Sequence, residues 1–405
     1  MAEIREFDYV IVGGGIAGAN ALTTLAEEAP EATLALFSAE EGVPVYRPIL
    51  TKDLWLKDDA DAVLEENLLV PDELRTHLHL GEQVTELDPS AHTLTLASGE
   101  QVKYGKVLLA TGLTPVTTVL QPSERVAYVR TLADFTTAFT FAQPGTHIVV
   151  VGGGYIAAEA AAALAQQEGV AVTLVSPTVP LLSTLLPPQL AEHVTARFEK
   201  AGISIMEGRI AGGDTLTDGV RVQLEDGTSI GADAAVIGVG AAPNLAIAEQ
   251  AGIHLDEATG GIRVNGALET SHADVYAAGD IAAYEDLALG VRRVEHADQA
   301  EKMGVAAARS MTGADVDYHR TPLVFSDLFE DGFEAVGEVS TEGADVIVDG
   351  DPSAAIIYYV KDGQVRGVMS WNTYRKMRAA RALLRETASD PIGDLEELRG
   401  RIELS

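Results

Sequence analysis

The sequence predicts an α/β fold with two βαβ units, followed by a smaller α+β portion. The first observation is a repeat: an apolar strand, a glycine-rich turn, an Ala-rich helix and a second apolar strand occupy residues 7–38 and recur at 146–176. This order of elements is typical of a βαβ unit with parallel strands and a right-handed crossover. The second observation is that a hairpin pattern with a buried last strand follows each unit, at 92–112 and 220–240. The repeat therefore extends beyond the first unit.

The third observation concerns the end of the chain, from about residue 319. Short strand patterns occur at Ala354 to Val360 and Gln364 to Ser370, and a charged helix is predicted over 373–387. These elements no longer alternate as βαβ units do. They predict a separate C-terminal α+β domain.

Composition limits the function classes that these elements can serve. The 405 residues are 47% hydrophobic, which is enough for two or three cores of roughly 150 residues each. A net charge of −33 argues against nucleic acid and anionic membrane surfaces as partners. No apolar stretch reaches the ~20 residues of a membrane span, and no signal peptide pattern precedes Phe7, so we expect a cytoplasmic protein. The absence of cysteine excludes disulfides and dithiol electron relays.

The turn after the first strand fits the pattern G-x-G-x-x-G. Gly13 permits the tight turn, Gly15 lets the backbone approach a pyrophosphate, and Gly18 lets the helix pack on the strand. An acid about twenty residues further on is expected to bind a ribose hydroxyl. Glu40 matches best and Glu41 less well. Neither acid occupies the end of the strand itself, where Ser38 stands.

The turn of the second unit carries the same pattern with alanine in the third place. Its residues are Gly152, Gly154 and Ala157. The following strand ends in Ser-Pro-Thr178, which offers neither an acid for NADH nor a cation for the 2′-phosphate of NADPH. The end of this strand therefore leaves the choice between NADH and NADPH poorly determined; for NAD(P)H at this second turn, we expect NADH to be slightly favoured.

Six further segments resemble the FAD-dependent pyridine nucleotide oxidoreductases of the ferredoxin-reductase type, most closely the apoptosis-inducing factor group and its bacterial relatives. The resemblance covers nearly the whole chain. Its most specific segments are 46-YRPILTKDLW-55, 110-ATG-112, 275-VYAAGD-280, 292-RRVEHADQA-300, 323-LVFSDL-328 and 367-GVMSWN-372. It implies two Rossmann-like domains, one for FAD and one for NAD(P)H, and a C-terminal domain.

The resemblance assigns further residues to the FAD and nicotinamide sites. It implies that Asp280 holds the ribityl chain, that Lys52 sits beside the flavin, and that Glu159 is the ion-pair partner of Lys52. On pattern alone, Asp280 suits a turn, Lys52 an exposed cationic loop, and Glu159 the first turn of a helix. The remaining residues that we expect to contact the cofactors are Arg47, Ala110, Thr111, Gly112, Gly240, Glu295, His296 and Phe325.

These assignments predict three domains and one reaction. The FAD domain would comprise 1–115 and 240–318, the NAD(P)H domain 116–239, and the C-terminal interface domain 319–405. Hydride would pass from nicotinamide to flavin, and electrons would then leave to an external acceptor: a ferredoxin, a rubredoxin, a quinone or dioxygen. The alternative is a redox-sensing flavoprotein with slow NADH oxidase activity whose reduced state controls partner binding or dimerisation. No metal site is predicted, and a homodimer is left open.

Overall fold

A computed structural model of the chain describes residues 4–117 and 120–404. Its residues cluster into two compact units. Unit 1 comprises Met1–Tyr46, Leu64–Thr114 and Ala242–Pro322, and unit 2 comprises Arg47–Val63, Pro115–Ala241 and Leu323–Ser405. The three-domain division stays a prediction, and the residues at 1–3, 118, 119 and 405 that it includes lie outside the described residues.

The strands of the described residues are numbered in chain order. They are β1 Arg5–Val12, β2 Leu34–Ser38, β3 Leu78–Leu80, β4 Val84–Asp88, β5 Thr93–Leu96, β6 Gln101–Leu109, β7 Leu113–Pro115, β8 Val126–Ala127, β9 His147–Val151, β10 Ala171–Ser176, β11 Ser204–Glu207, β12 Ile210–Thr215, β13 Val220–Leu224, β14 Ser229–Ala232, β15 Ala234–Ile237, β16 Ala241–Pro243, β17 Leu255–Asp256, β18 Gly261–Arg263, β19 Val275–Ala277, β20 Ala282–Asp286, β21 Gly290–Arg292, β22 Leu323–Leu328, β23 Asp331–Gly337, β24 Asp345–Asp351, β25 Ala354–Lys361 and β26 Gln364–Trp371.

The helices are numbered in the same way. The α-helices are α1 Ile16–Glu28, α2 Asp53–Leu56, α3 Ala60–Glu66, α4 Leu132–Phe141, α5 Tyr155–Leu164, α6 Pro188–Lys200, α7 Ala246–Gln250, α8 Ala297–Met311 and α9 Met377–Ser389. Short 3₁₀ helices lie at Arg47–Thr51, Asp72–His77, Gly279–Ile281 and Leu395–Leu398.

Unit 1 is built on a mixed sheet in the order β3-β2-β1-β6-β5-β4. Strand β1 is parallel to β2 and β6, as the first βαβ pattern predicts. The far end of β6 also pairs in parallel with β19, which brings residues 275–277 beside 107–109. The carboxyl ends of β1, β6 and β19 therefore meet at one sheet edge, where open α/β sheets bind ligands.

Unit 2 contains a parallel sheet in the order β11-β10-β9-β15-β8. Its central strand β9 is buried from Ile148 to Val151 and pairs with β10 and β15, so the second βαβ prediction is confirmed. The hairpin pattern at 220–240 differs from its counterpart in unit 1. There the last hairpin strand and the buried strand are the single strand β6, whereas here they are separated as β14 and β15.

Unit 2 also contains an antiparallel sheet in the order β22-β23-β26-β25-β24, which confirms the strand-rich C-terminal portion. Helix α9 presents Met377, Ala380, Leu383, Leu384 and Thr387 as its buried face. The helix begins at 377 rather than at the predicted 373, because Asn372 and Arg375 have φ angles of 50° and 65° that a right-handed helix does not permit.

Candidate functional site

The first glycine turn is constrained by its neighbours. Gly13 has a φ of 121°, and a Cβ there would lie 2.2 Å from the Ala110 carbonyl oxygen. A Cβ at Gly18 would lie 2.0 Å from the Gly13 oxygen. Gly15 is the N-cap of α1 and gives no side-chain cap, so its first amides are left for a ligand. Such amides at a helix N-terminus fit a pyrophosphate group.

The Ala110–Thr111–Gly112 segment lies beside this turn and is held by a residue that the sequence analysis missed. The Asn244 side-chain Nδ2 donates to the Thr111 carbonyl oxygen at 2.8 Å. Its backbone N–H donates to the Gly112 carbonyl oxygen at 2.9 Å. In return, the Thr111 hydroxyl donates to the Asn244 carbonyl oxygen at 2.7 Å and the Thr114 hydroxyl to Oδ1 at 2.7 Å. Asn244 therefore fixes the loop at the end of β6.

Asp280 lies half-buried in the 3₁₀ turn that follows β19. Its carbonyl oxygen accepts from Arg293 Nη1 at 2.9 Å, and the same nitrogen lies 2.7 Å from Glu295 Oε1. His296 is the N-cap of α8 and its Nδ1 accepts from the Asp298 amide at 3.4 Å. Arg293 therefore links two residues of the predicted site, Asp280 and Glu295, although the sequence analysis gave it no role.

Glu40 follows the end of β2 and is half-buried. Its amide donates to Ser38 Oγ at 3.1 Å, so the strand-end serine shapes the turn that carries the acid. Glu41 is exposed in the same turn. Both acids lie at the end of β2, and the choice of Glu40 as the ribose ligand stays a prediction.

The second glycine turn repeats the design of the first. Gly152 has a φ of 151°, and a Cβ there would lie 2.3 Å from the Gly238 oxygen and 2.7 Å from the Ala157 Cβ. Gly154 is the N-cap of α5, without a side-chain cap, and a Cβ there would face open space. Gly240 has a φ of 108° and accepts at its carbonyl from the Val116 amide.

Glu159 on α5 is the centre of a buried polar cluster in unit 2. Only 4% of its surface is exposed, yet three donors reach its carboxylate. Thr51 Oγ1 donates to Oε2 at 2.7 Å, Ser326 Oγ donates to Oε1 at 2.5 Å, and Lys52 Nζ lies 3.2 Å from Oε1. The ion pair that the resemblance implies is therefore formed in the structure.

Burial raises the pKa of Glu159, and the charge of Lys52 together with the hydroxyls of Ser326 and Thr51 opposes that rise. The net direction is upward. The hydrogen bonds keep a buried carboxylate in a fixed orientation, which an apolar site alone would not do.

Lys52 has two further neighbours on β22. Its Nζ lies 3.0 Å from Asp327 Oδ2 and 4.9 Å from the ring centroid of Phe325, a cation–π distance. Arg47, from the same segment, donates to the Arg130 carbonyl oxygen at 2.6 Å. The second glycine turn and this cluster lie in unit 2, while Gly13, Ala110, Asp280 and His296 lie in unit 1.

Sequence reasoning missed Thr51, Ser326 and Asp327, although all three lie inside segments that carried the resemblance. Thr51 precedes Lys52 in the chain, and Ser326 and Asp327 are the two residues that follow Phe325. A hydroxyl or carboxylate beside such a residue was the available signal. It does not show which side chains turn toward Glu159.

A family model of the pyridine nucleotide-disulphide oxidoreductases matches residues 7–304. Apoptosis-inducing factor 1, mitochondrial, of Dictyostelium discoideum is 32% identical over 99% of this chain and 82% of its own length. The ferredoxin–NAD(+) reductase component of the anthranilate 1,2-dioxygenase system of Burkholderia cepacia is 30% identical over 93% of each chain.

A solved structure of a covalent putidaredoxin reductase–putidaredoxin complex also resembles the chain. The TM-score is 0.83 at 27% identity, over 95% of this chain and 93% of the other. No helix in the described part of the chain has the length and hydropathy needed to cross a membrane.

Proposed function

The chain belongs to the pyridine nucleotide-disulphide oxidoreductase family. We propose that its electron acceptor is a small acidic iron–sulfur protein of the ferredoxin type. It is an FAD-dependent NAD(P)H oxidoreductase that passes electrons to an external acceptor. The chain has no cysteine, so it lacks the redox disulfide that the family name mentions. Electrons must therefore leave from the flavin itself.

Two turns supply the nucleotide sites of this proposal. The residues around Gly13, Gly15 and Gly18 hold FAD, with Asp280 toward the ribityl chain, and those around Gly152, Gly154 and Ala157 hold the nicotinamide nucleotide. Uncapped helix amides and the absence of room for a Cβ at Gly13 support the fit. When bound, the flavin supplies a hydride acceptor for the nicotinamide.

The protein's own contribution to hydride transfer comes from the Lys52 cluster. Lys52 supplies a fixed cation for the negative charge that develops on reduction, and Glu159 holds the ammonium in place. Thr51 and Ser326 fix the Glu159 carboxylate in turn. This gives an orientation that is set before the substrate arrives, which is the most effective form of electrostatic stabilisation.

The nicotinamide preference is proposed to be modest, with NADH favoured. The end of β10 lacks a charged residue, but Ser176 is the register partner of Glu207 on β11. The amide of Gly208 donates to the Ser176 carbonyl oxygen, and Arg209 follows at an exposed position. An acid and a base therefore lie one strand away and act in opposite directions on a 2′-phosphate.

The observation that carries the proposed acceptor is the charge of α9 and the residues before it. Five of the 28 cations lie within 375–385, a stretch without any acid, in a chain of net charge −33: Arg375, Lys376, Arg378, Arg381 and Arg385. Arg378 and Arg385 are exposed, two helical turns apart, on the side opposite the buried face. No carboxylate of the described residues lies within ion-pair distance of either guanidinium. A local basic surface is what an acidic partner requires on an otherwise repulsive protein.

Two relatives add support from their names, one a ferredoxin–NAD(+) reductase component and one a reductase solved together with putidaredoxin. The test begins with an anaerobic titration of the FAD-loaded protein with NADH, which reduces the flavin. A [2Fe–2S] ferredoxin, a quinone or dioxygen is then added, and the reoxidation of the flavin is measured. We expect ferredoxin to reoxidise the flavin fastest. An Arg378→Glu/Arg385→Glu variant should raise KM for ferredoxin about tenfold or more and leave flavin reduction by NADH unchanged.

Lys103→Glu is the matched control, because it reverses an exposed cation of unit 1 on β6. It should change KM for ferredoxin by less than twofold. Equal effects of the control and the α9 variant would place docking elsewhere. A flavin that stays reduced for hours with all three acceptors would contradict the reductase and favour the redox-sensing alternative.

A further inference from the structure

The Lys52 ammonium lies between two carboxylates, and only one of them has a role in the proposed function. Glu159 Oε1 lies 3.2 Å from Nζ and Asp327 Oδ2 lies 3.0 Å from it. The Glu159 side chain is 4% exposed, whereas that of Asp327 is 56% exposed. Asp327 is therefore the nearer and more solvent-accessible counter-ion of a lysine that is itself 15% exposed.

Three consecutive residues of β22 contact either Lys52 or Glu159. Phe325 lies under the ammonium, Ser326 is completely buried and donates to Glu159, and Asp327 accepts from Lys52. Successive side chains of a strand point to opposite faces, so Asp327 does not share the buried environment of Ser326. The two carboxylates reach one ammonium from different surroundings.

The neighbouring strand leaves room for the Asp327 carboxylate. Gly332 on β23 is its register partner, and a Cβ at Gly332 would lie 2.8 Å from Asp327 Oδ1. The same Cβ would lie 3.0 Å from the Tyr374 hydroxyl oxygen. Burial raises the pKa of Tyr374, and the negative charge of Asp327 adds to that rise. The position of Asp327 therefore depends on a glycine and is not set by Lys52 alone.

We propose that Asp327 is a positioning residue that shares the Lys52 ammonium with Glu159 and reduces the positive charge that Lys52 presents to the flavin. The inference rests on the proposed function, which puts Lys52 beside the flavin. With both carboxylates ionised, one cation faces two anions. Reduction of the flavin, which adds negative charge, is then less favoured than it would be with Glu159 alone.

The experiment is a redox titration of the FAD-loaded protein against a reference dye, which measures the ratio of reduced to oxidised flavin at a fixed potential. Asp327→Asn keeps the size of the side chain and removes its charge. We expect the ratio to rise about tenfold, which is about 30 mV for a two-electron couple. Glu330→Gln is the matched control, because it removes an exposed carboxylate of the same hairpin that pairs with Arg197 and not with Lys52. It should change the ratio by less than twofold.

A second variant tests position without changing charge. Gly332→Ala adds a methyl group where only 2.8 Å separates it from Asp327 Oδ1, so the carboxylate must move. We expect the ratio to rise in the same direction as in Asp327→Asn. In a Lys52→Gln background, both substitutions should lose their effect, because Asp327 acts through Lys52.

The outcomes separate this inference from the proposed function. Lys52→Gln alone should lower the ratio; an unchanged ratio would show that Lys52 is not beside the flavin, and the proposed site would fail. If Lys52→Gln lowers the ratio but Asp327→Asn behaves like Glu330→Gln, the site stands and the role of Asp327 is overturned. A persistent effect of Asp327→Asn in the Lys52→Gln background would likewise overturn action through Lys52.

Discussion

At the scale of single residues, Glu159 shows how a buried charge is maintained in this fold. Its carboxylate is removed from water but receives two hydroxyl hydrogen bonds and one ammonium contact. Removing one partner of such a group typically costs more than the contact itself contributes, because the remaining charge loses its compensation. Glu159 should therefore be sensitive to pH as well as to mutation.

The pH dependence has a definite sign. The pKa of Glu159 is raised above its ordinary value of 4.5, chiefly by burial. A raised folded-state pKa contributes stability below pH 4.5 that is lost as pH rises through the folded-state pKa. Urea unfolding of wild type and Glu159→Gln from pH 4 to 8 should show wild type losing stability relative to the variant as pH rises above 4.5, by at most about 1.4 kcal/mol per pH unit.

Glu168→Gln, at an exposed position of unit 2, controls for the loss of one negative charge. Its unfolding free energy should run parallel to that of wild type. A Glu159→Gln curve that also runs parallel to wild type would mean that folding does not raise the pKa of Glu159.

Sequence reasoning reached Lys52 and Glu159 only through a family resemblance. Pattern alone left them as a loop cation and a helix acid, because 107 positions separate them and no periodicity links them. The hydroxyls of Thr51 and Ser326 were not predicted for the same reason. Side-chain direction within a 3₁₀ turn and at the edge of a sheet depends on packing that the sequence does not display.

At the scale of elements, each glycine turn joins a buried strand to an uncapped helix, and here prediction from sequence was most complete. Both βαβ units were recognised because strand periodicity, turn glycines and helix composition all agree. The predicted start of α9 was wrong by four residues. The positive φ angles of Asn372 and Arg375 could not be predicted from a charged, helix-favouring sequence.

The glycine of the second turn allows a selective test. A Cβ at Gly154 meets no atom within 4 Å, so Gly154→Val should fold normally and retain FAD. Its side chain would occupy the approach of the pyrophosphate, and NADH affinity should fall at least tenfold by stopped-flow or calorimetric titration. Gly231→Val, also in open space in unit 2, should leave NADH affinity unchanged. Loss of FAD with NADH affinity intact would exchange the roles of the two turns.

The loop at the end of β6 gives the second element-scale prediction. Asn244→Ala removes the Nδ2 donor to Thr111 and the Oδ1 acceptor of Thr114. We expect a loss of about 1–3 kcal/mol of stability and faster FAD release, because the Thr111 carbonyl loses its partner. Asn244→Asp keeps the acceptor and should lose less. FAD release is measured by the rise of flavin fluorescence on dilution, and equal rates in all three proteins would contradict the role of Asn244.

At the scale of the whole molecule, each of the two compact units is built from three segments that are separated in sequence. Residues 47–63 follow the first βαβ unit in sequence but cluster with unit 2, together with the second βαβ unit and the C-terminal sheet. Within unit 2, His193 Nε2 lies 2.9 Å from Asp331 Oδ2, and the Tyr359 hydroxyl donates to the Leu185 carbonyl oxygen at 2.7 Å. Contacts between segments more than a hundred residues apart cannot be predicted from local periodicity.

The net charge of the chain acts on the stability of the molecule as a whole. At −33, self-repulsion opposes the compact state, and it is screened as the Debye length falls from about 10 Å at 0.1 M salt to about 3 Å at 1 M. We therefore expect the thermal unfolding midpoint to rise between 0.05 and 1 M NaCl. Each kcal/mol gained should add roughly 1 °C, because an unfolding entropy of about 2.1 cal/mol/K per residue amounts to about 0.85 kcal/mol/K for 405 residues. Differential scanning calorimetry of the FAD-loaded protein measures the shift.

The Arg378→Glu/Arg385→Glu variant separates screening from a general salt effect on hydrophobic burial. Each substitution lowers the net charge by two, from −33 to −37 in the double variant. Sodium chloride would act on burial equally in both proteins, whereas screening acts more strongly on the more charged one. The midpoint of the variant should start lower and rise more steeply with NaCl, approaching that of wild type near 1 M. Parallel salt curves for the two proteins would show that self-repulsion is not what limits the stability of this chain.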